Sequence, residues 1–141
     1  MTAQDGVDRI IDVLPENLRC LVMKGVQDEE HFLAAVEGIK GEALVVTDKG
    51  VHIIKDKDTE QCSFFPFSGI AAIKIYRELR RGKFELFLRG EKRPEKALRM
   101  GYEADPSAHV VNFPFAKTAV FKKVEAMIRK YMENAMLGAH R

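Results

Sequence analysis

The sequence predicts a mainly β protein, all-β in its main body, in which antiparallel strands are followed by one long amphipathic helix. Short apolar and β-branched runs recur at close spacing between residues 30 and 115, and turn signals such as Asp-Lys-Gly, Ser-Gly and Asp-Pro-Ser separate them. After the last run, apolar residues repeat with the period of an α-helix. Several short strands in a row favour a sandwich or barrel, which the helix would cover.

Two short helices are expected before the first strand. The first follows Asp5, a suitable N-cap, and the second begins at Pro15 and ends near Gly25. Together they predict an N-terminal helical extension over residues 1–27, whereas residues 28–141 form the main domain. The apolar residues that place the first helix, at helical spacing, are Val7, Ile10, Ile11 and Leu14.

The main domain contains a succession of strand-like segments. The clearest pair forms a hairpin around the turn Thr47–Gly50, where Gly50 is expected to adopt a positive φ. Apolar residues occupy both faces of this hairpin, which is typical of a strand covered on its outer side as well. The strand-like segments cover residues 31–39, 44–46, 51–54, 62–67, 70–79, 83–90, 96–103 and 109–115.

The last element is an amphipathic helix of about five turns. Its apolar residues share one stripe and its charged residues lie on the other faces. The stripe must be buried, and the mouth of the β structure is the expected place. The stripe consists of Val120, Val124, Met127, Ile128, Tyr131 and Ala135.

Length and composition allow one domain with its own core. A chain of 141 residues buries roughly two-thirds of its unfolded surface on folding. No run reaches the 18 or more apolar residues of a membrane helix, and the acidic N-terminus does not resemble a secretory signal, so a cytoplasmic location is expected. Cys20 and Cys62 belong to no CxxC pair, and we expect free, buried thiols.

The sequence contains no pattern of a catalytic, metal or cofactor site. Its four histidines do not pair at metal-ligand spacing, and nucleotide-binding loops and nucleophile motifs are missing. His52, in the middle of a strand, is expected to be half-buried and hydrogen-bonded. We therefore expect a protein that is not an enzyme and that needs no metal and no cofactor.

Charge is distributed unevenly along the chain. Residues 1–73 contain 7 basic and 13 acidic side chains, whereas residues 74–99 contain 10 basic and 4 acidic ones. The bases crowd two predicted hairpin tips, where they form a candidate patch for an anionic ligand or an acidic partner. The alternative is a solvated edge that prevents unwanted strand pairing. The candidate patch consists of Arg77, Arg80, Arg81, Lys83, Lys92, Arg93 and Lys96.

The order of these segments resembles a bacterial pleckstrin-homology-like domain, a relative of the GRAM and pleckstrin-homology folds. The resemblance rests on DEEHFLAAVEGI (28–39), ALVVTDKGVHIIK (43–55), FFPFSGIAAIKI (64–75) and VNFPF (111–115) before the long helix. It covers residues 28–136. It implies a barrel of two near-orthogonal antiparallel sheets with about seven strands, which the C-terminal helix caps at one end.

The resemblance also bears on ligand binding. Pleckstrin-homology domains that bind phosphoinositides usually place basic residues around the loop that joins the first two strands. In this chain that loop reads GIKGE (38–42) and contains only Lys40. The resemblance therefore does not imply the usual head-group site.

These observations predict a non-catalytic binding or assembly module that acts through protein–protein contacts. The alternative is a peripheral binder of anionic ligands, such as phosphate groups or membrane lipid head groups, through the basic tips at residues 77–96. Nucleic acid is disfavoured, because the pI is about 8.5 and Phe84 and Phe87 occupy strand positions. The resemblance implies that a homo-oligomer is possible, since relatives of this fold group often self-associate. The alternative is that the N-terminal helix packs on the C-terminal helix within one chain and hides both apolar stripes. The candidate contacts on the helix are Phe121, Met132, Met136 and Leu137.

Overall fold

The computed structural model describes residues 10–11, 13–57, 59–90 and 106–139. Three short 3₁₀ turns, Phe67–Gly69, Pro106–His109 and Phe115–Lys117, connect longer elements. Within the described residues, those elements are β1 (Ile10–Ile11), α1 (Glu16–Gly25), β2 (Phe32–Glu37), β3 (Glu42–Thr47), β4 (Gly50–Asp56), β5 (Glu60–Pro66), β6 (Ile70–Arg77), β7 (Gly82–Leu88), β8 (Val110–Phe113) and α2 (Thr118–Ala139).

The strands form two sheets, ordered β1-β2-β3-β4-β5 and β6-β7-β8. Neighbouring strands are antiparallel except β1, which runs parallel to β2. The predicted antiparallel β architecture with a C-terminal helix is confirmed. The predicted closed barrel of about seven strands is wrong for the part of the chain that the structure describes, because eight strands there form two separate sheets.

The N-terminal segment differs from the prediction at its first element. Ile10 and Ile11 pair with Ala34 and Ala35 as a strand instead of forming a helix. Edge pairing satisfies backbone groups that a short helix would leave open, and β-branched side chains favour it. The second predicted helix is present as α1. Val7, Asp5 and the segment 96–103 lie outside the described residues, and the domain boundary after residue 27 stays a prediction.

The β3–β4 hairpin has the predicted two-residue turn, and Val46 pairs with Val51 across it. Gly50 is required at this turn for a reason other than the positive φ that we expected. Gly50 does not have a positive φ; a Cβ there would collide with the backbone oxygen of Phe65 on β5. Among the described glycines, a positive φ occurs at Gly41, in the turn before β3, with φ of 83°, and at Gly90, after β7, with φ of 77°.

Two apolar cores lie on opposite faces of the five-stranded sheet. The inner core fills the space between the two sheets and α2, and the outer core lies between the five-stranded sheet and α1. Apolar residues on both faces of β3 and β4 are explained by this arrangement, since each face has its own cover. The outer core consists of Leu14, Leu18, Leu21, Val22, Ala35, Ala43, Val45 and Ile54.

Helix α2 covers the inner core with a stripe centred on Phe121, Val124 and Ile128, all fully buried. The Phe121 ring stacks on Phe113 of β8, with ring centroids 4.1 Å apart. Its assignment as an oligomer contact is therefore wrong, because the chain's own core covers it. Met132 also packs against this core.

The other two candidate contacts on α2 are Met136 and Leu137. Met136 is exposed, with 39% of its surface accessible. The Leu137 side chain lies outside the described residues. Whether either residue contacts another protein stays a prediction.

Glu42, at the start of β3, connects the two sheets although its side chain is fully buried. Its carboxylate accepts hydrogen bonds from the backbone N–H of Asn112 on β8 (3.0 Å) and from the Asn112 side-chain amide (3.2 Å). Lys57 Nζ donates to it at 2.6 Å, and Lys55 Nζ lies at 3.3 Å. All of these groups are donors or cations, so the site requires a carboxylate.

These contacts set the protonation of Glu42. Burial alone would raise the pKa of Glu42, but the hydrogen bond from Lys57, those from Asn112 and the charge of Lys55 outweigh it and lower the pKa below its ordinary value. The carboxylate therefore stays ionised at neutral pH. A group with a lowered folded-state pKa stabilises the fold above its unfolded pKa.

Ile128→Ala is expected to lower the free energy of unfolding by about 2–5 kcal/mol. The fully buried side chain lies between helix and sheets, so its removal leaves a cavity that the surroundings cannot readily fill. Thermal or urea unfolding measures the effect, with exposed Lys130→Ala on the same helix as the control. An unfolding midpoint equal to that of the control would contradict the placement of α2.

Glu42→Gln is expected to destabilise the protein at neutral pH by about 1–3 kcal/mol, because an amide N–H₂ would face donors and cations. The wild-type protein should lose the contribution of Glu42 as pH falls from about 4.5, its ordinary value, through the lowered folded-state pKa. Urea unfolding from pH 7 to pH 3 measures both effects. The difference between variant and wild type should shrink toward pH 3; a constant difference would contradict an ionised Glu42.

Candidate binding surfaces

The β6–β7 hairpin projects from the three-stranded sheet and carries part of the predicted basic patch. Arg77 pairs with Gly82 at its last ladder position. Residues 78–81 form the connection, and the backbone N–H of Glu78 donates to the carbonyl oxygen of Arg81 at 2.8 Å. At this tip the side chain of Leu79 is 92% exposed. The tip therefore presents an apolar side chain among charged ones.

The predicted basic patch is only partly a cluster of free cations. Glu78 Oε2 lies 3.2 Å from Lys83 Nζ, and Glu78 Oε1 lies 3.8 Å from Arg81 Nε. Arg77 and Arg80 form no ion pair within the described residues. The hairpin thus brings together four of the seven predicted residues, and Glu78 compensates two of them. Lys92, Arg93 and Lys96 lie outside the described residues, so the complete patch stays a prediction.

A groove lies at the base of the hairpin, where β6, β7 and β8 meet the beginning of α2. Its volume is about 440 Å³, and its residues come from three strands, the 3₁₀ turn before α2 and the helix itself. Gly82 makes room for the Phe113 ring, since a Cβ there would collide with that ring. The groove is lined by Ile75, Tyr76, Arg77, Gly82, Phe113, Phe115, Thr118 and Lys122.

The groove contains two cations and no carboxylate among its described lining residues. The Arg77 guanidinium lies over the Phe115 ring, 4.3 Å from its centroid, in cation–π geometry. Lys122 is exposed and forms no ion pair in the described part of the chain. Sequence reasoning included Arg77 but missed Lys122. The available signal was its position one helical turn after Thr118, at the start of the predicted helix.

A second surface is a shallow hollow on α1, with a volume of about 590 Å³. Met23, on its edge, is 77% exposed, and Val13, just before the hollow in sequence, is 91% exposed. Both are apolar side chains that the chain leaves uncovered. The hollow is lined by Leu14, Glu16, Arg19, Cys20, Val22, Met23 and Lys24.

His52 belongs to a buried polar cluster instead of a surface site. It is 1% exposed, so the expectation of a half-buried histidine is wrong, although the expected hydrogen bond is present. Nε2 lies 2.8 Å from Glu30 Oε1, which also accepts from the Thr47 hydroxyl at 2.6 Å. Because a carboxylate only accepts, Nε2 carries the proton, and Nδ1 has no partner among the described residues.

The partner of His52 is held ionised by its hydrogen bonds. Burial would raise the pKa of Glu30, but hydrogen bonds from His52, Thr47 and the Gln27 backbone lower it overall. The cluster fixes the connection between α1 and β2, since Glu30 contacts groups from Gln27 to β4. We interpret this cluster as structural.

The two cysteines are free but exposed, so the expectation of buried thiols is wrong. The Cys62 thiol lies against Gly25, and this partial burial, together with the charge of Glu30, raises its pKa. Neither the described histidines nor the described cysteines and carboxylates form a group that could hold a metal ion. No helix in the described residues has the length and apolarity needed to cross a bilayer.

Comparison with known proteins supports the architecture. Neither a protein-family model nor a curated protein matches the sequence. A crystal structure of a DUF1696-family protein with a pleckstrin-homology domain from Shewanella loihica matches with a TM-score of 0.56 and 16% identity. The match covers 86% of this chain and 99% of that one. This chain has a pleckstrin-homology-like fold.

A second structure agrees with this assignment. The pleckstrin-homology domain from Shewanella amazonensis matches with a TM-score of 0.55 and 14% identity, over 83% of this chain and 96% of that one. At these identities the likeness concerns the fold alone. The pleckstrin-homology-like fold expected from the sequence is thus confirmed, and its binding surfaces must be argued from the chain's own residues.

Gly82→Ala is expected to destabilise the protein by about 1–3 kcal/mol, as overpacking does. The added methyl group would meet the edge of the Phe113 ring, which cannot retreat because it is buried and stacks on Phe121. Gly69→Ala is the control, since a Cβ there makes only ordinary contacts, 3.6 Å from Pro66. Thermal unfolding of both variants measures the difference; equal midpoints would contradict the close approach at Gly82.

Proposed function

We propose that this chain is a non-catalytic assembly module, in which the β6–β7 tip of one copy enters the α1 hollow of another. The observation that carries the proposal is the 92% exposure of Leu79 at a hairpin tip. A pleckstrin-homology-like fold supports a binding module in general. The tip and the hollow suggest which contact such a module makes.

The tip supports a protein contact by its composition. Turns favour glycine, proline, asparagine, aspartate and serine, and Leu79 offers none of their conformational advantages. Single exposed leucines are common, so exposure alone has little weight. Here, however, Arg80 and Arg81 follow directly. An apolar side chain with arginine neighbours matches the residue types found in protein interfaces, where arginine is enriched.

The α1 hollow supports the same contact from the other side. Its floor includes Leu14 and Val22, which are buried members of the outer core. Its volume of about 590 Å³ is ample for one leucine side chain. Met23 is flexible and exposed at the edge, and methionine adapts well to the shape of a partner. Exposed apolar surface beside polar residues is typical of an interaction site.

Burial of Leu79 would supply the affinity of this contact. Charge contributes little to it, because the tip carries Arg80 and Arg81 and the hollow is lined by Arg19 and Lys24 as well as by Glu16.

The symmetry of such a contact follows from its geometry. The tip belongs to the three-stranded sheet and the hollow to the helix on the five-stranded sheet. Two different surfaces meet, so the copies form either a twofold dimer in which the contact is made twice or, through a heterologous contact, a closed ring or an open filament. The same reasoning makes each copy both a donor of the tip and an acceptor.

Two further observations support this choice among the functions considered. His52, the one histidine at the centre of the fold, is buried and engaged with Glu30, which favours a structural role over a catalytic one. Binding of anionic ligands through the hairpin tip alone is less favoured, because Glu78 compensates Arg81 and Lys83.

Leu79→Ser and Met23→Lys should each weaken self-association at least about tenfold, because a buried leucine contributes about 1.5–3 kcal/mol. Sedimentation velocity over a range of protein concentrations measures this. Met136→Ser, an exposed apolar residue on α2, is the matched control. A wild-type protein that stays monomeric at high concentration in both low and high salt would refute the assembly.

Mixing the two variants tests whether the tip of one copy enters the hollow of another. Leu79→Ser retains an intact hollow, and Met23→Lys retains an intact tip, so an equimolar mixture should form a dimer that neither variant forms alone. Dissociation by Met136→Ser instead of Leu79→Ser would place the interface on α2 and contradict the tip contact.

A further inference from the structure

The groove between the hairpin base and α2 is a separate surface that the assembly contact does not use. Its cations, Arg77 and Lys122, lie outside both the tip at residues 78–81 and the α1 hollow. We infer that this groove binds a small molecule that carries a phosphate or carboxylate group on a planar, apolar body. The inference rests on three features of the groove.

The first feature is a pair of cations without ion-pair partners in the groove. Two bases on the same hairpin, Arg81 and Lys83, form ion pairs with Glu78, whereas Arg77 and Lys122 form no ion pair among the described residues. They come from different elements, β6 and α2, and line one groove. Two cations that converge from separate elements can contact one anionic group from two sides.

The second feature is the aromatic wall. The Arg77 guanidinium carbon lies over one face of the Phe115 ring, 4.3 Å from its centroid. An arginine placed in this way loses less freedom when it donates to an anion, because its planar group is pre-organised. Tyr76 also lines the groove, whereas the Phe113 ring beneath it is fully buried. Aromatic rings such as that of Phe115 prefer flat, apolar partners. The wall therefore selects the body of the ligand, and the cations select its charged group.

The third feature is the size and position of the groove. Its volume of about 440 Å³ falls within the range of small-molecule sites. It opens at the beginning of α2, a helix of 22 residues whose N-terminal dipole also favours an anion. The residues that build it are all described, from the last residues of β6 to the first turns of α2.

Phenyl phosphate is a suitable probe, with inorganic phosphate and phenol as its two halves. Amide chemical shifts of the ¹⁵N-labelled protein report both affinity and location. We expect phenyl phosphate to bind more tightly than either half and to shift the amides of Gly82, Phe115 and Thr118. Binding without shifts at these amides, or no preference over the two halves, would overturn the inference.

Matched variants test the role of the cations. Arg77→Gln and Lys122→Gln should each weaken phenyl phosphate binding at least about tenfold, the loss of one charge-assisted hydrogen bond. Arg80→Gln, in the connection after β6, and Lys123→Gln, on α2, remove the same charges outside the groove and should leave binding unchanged. All four residues are exposed, so thermal melts should match the wild type. Equal losses in all four variants would show nonspecific attraction and refute the site.

Two sources could supply the anionic group, a soluble metabolite or a lipid head group. Co-sedimentation with phosphatidylglycerol vesicles, compared with phosphatidylcholine vesicles, distinguishes them. If the groove variants lose binding to the anionic vesicles while the control variants keep it, the source is a head group. If no variant affects vesicle binding while phenyl phosphate binding still requires Arg77 and Lys122, the ligand is soluble. Self-association measured on Arg77→Gln and Lys122→Gln separates this site from the assembly contact, which should persist in both variants.

Discussion

One buried carboxylate joins the two sheets, and the position of the groove depends on it. Glu42 is the first residue of β3, and its carboxylate accepts hydrogen bonds from the backbone and side-chain N–H groups of Asn112 on β8. At the same junction, the backbone N–H of Ile39 donates a hydrogen bond to the backbone carbonyl oxygen of Asn112. Burying a charge is costly unless it is paired and hydrogen-bonded, and here two lysines and an asparagine provide both conditions. The sheets are thus joined at a specific place.

From that junction the structure continues directly to the candidate groove. Asn112 pairs with Lys83, and the next residue of β8, Phe113, pairs with Gly82. Because Gly82 has no side chain, the Phe113 ring can pack closely there and stack on Phe121 of α2. This stacking places the beginning of α2 beside β6, so that Lys122 and Arg77 line one groove. Fold stability and the geometry of the groove therefore depend on the same contacts.

Local sequence patterns predicted those elements whose conformation depends on their own residues. They were less informative for elements whose conformation depends on contacts with a distant segment. The hairpin at residues 47–50 and the stripe of α2 follow from apolar periodicity and turn chemistry, and both are present. Ile10 and Ile11 have a helical spacing too, but the open edge of β2 offered backbone partners that the local pattern cannot show. For the same reason the sequence predicted only one of the two cations in the groove. Arg77 belongs to a basic run, whereas Lys122 lies in another element 45 positions later in the chain.

The sequence by itself determined the mainly β architecture, the C-terminal helix and the resemblance to pleckstrin-homology-like domains, because these depend on periodicity and on the order of segments. Tertiary structure alone decided which polar groups are buried, as with His52, and which face of α2 is covered, as with Phe121. It also decided which bases are compensated, since Glu78 is shared by Arg81 and Lys83 but does not pair with Arg77. Burial and charge pairing are properties of distances between elements, and a one-dimensional pattern does not contain those distances.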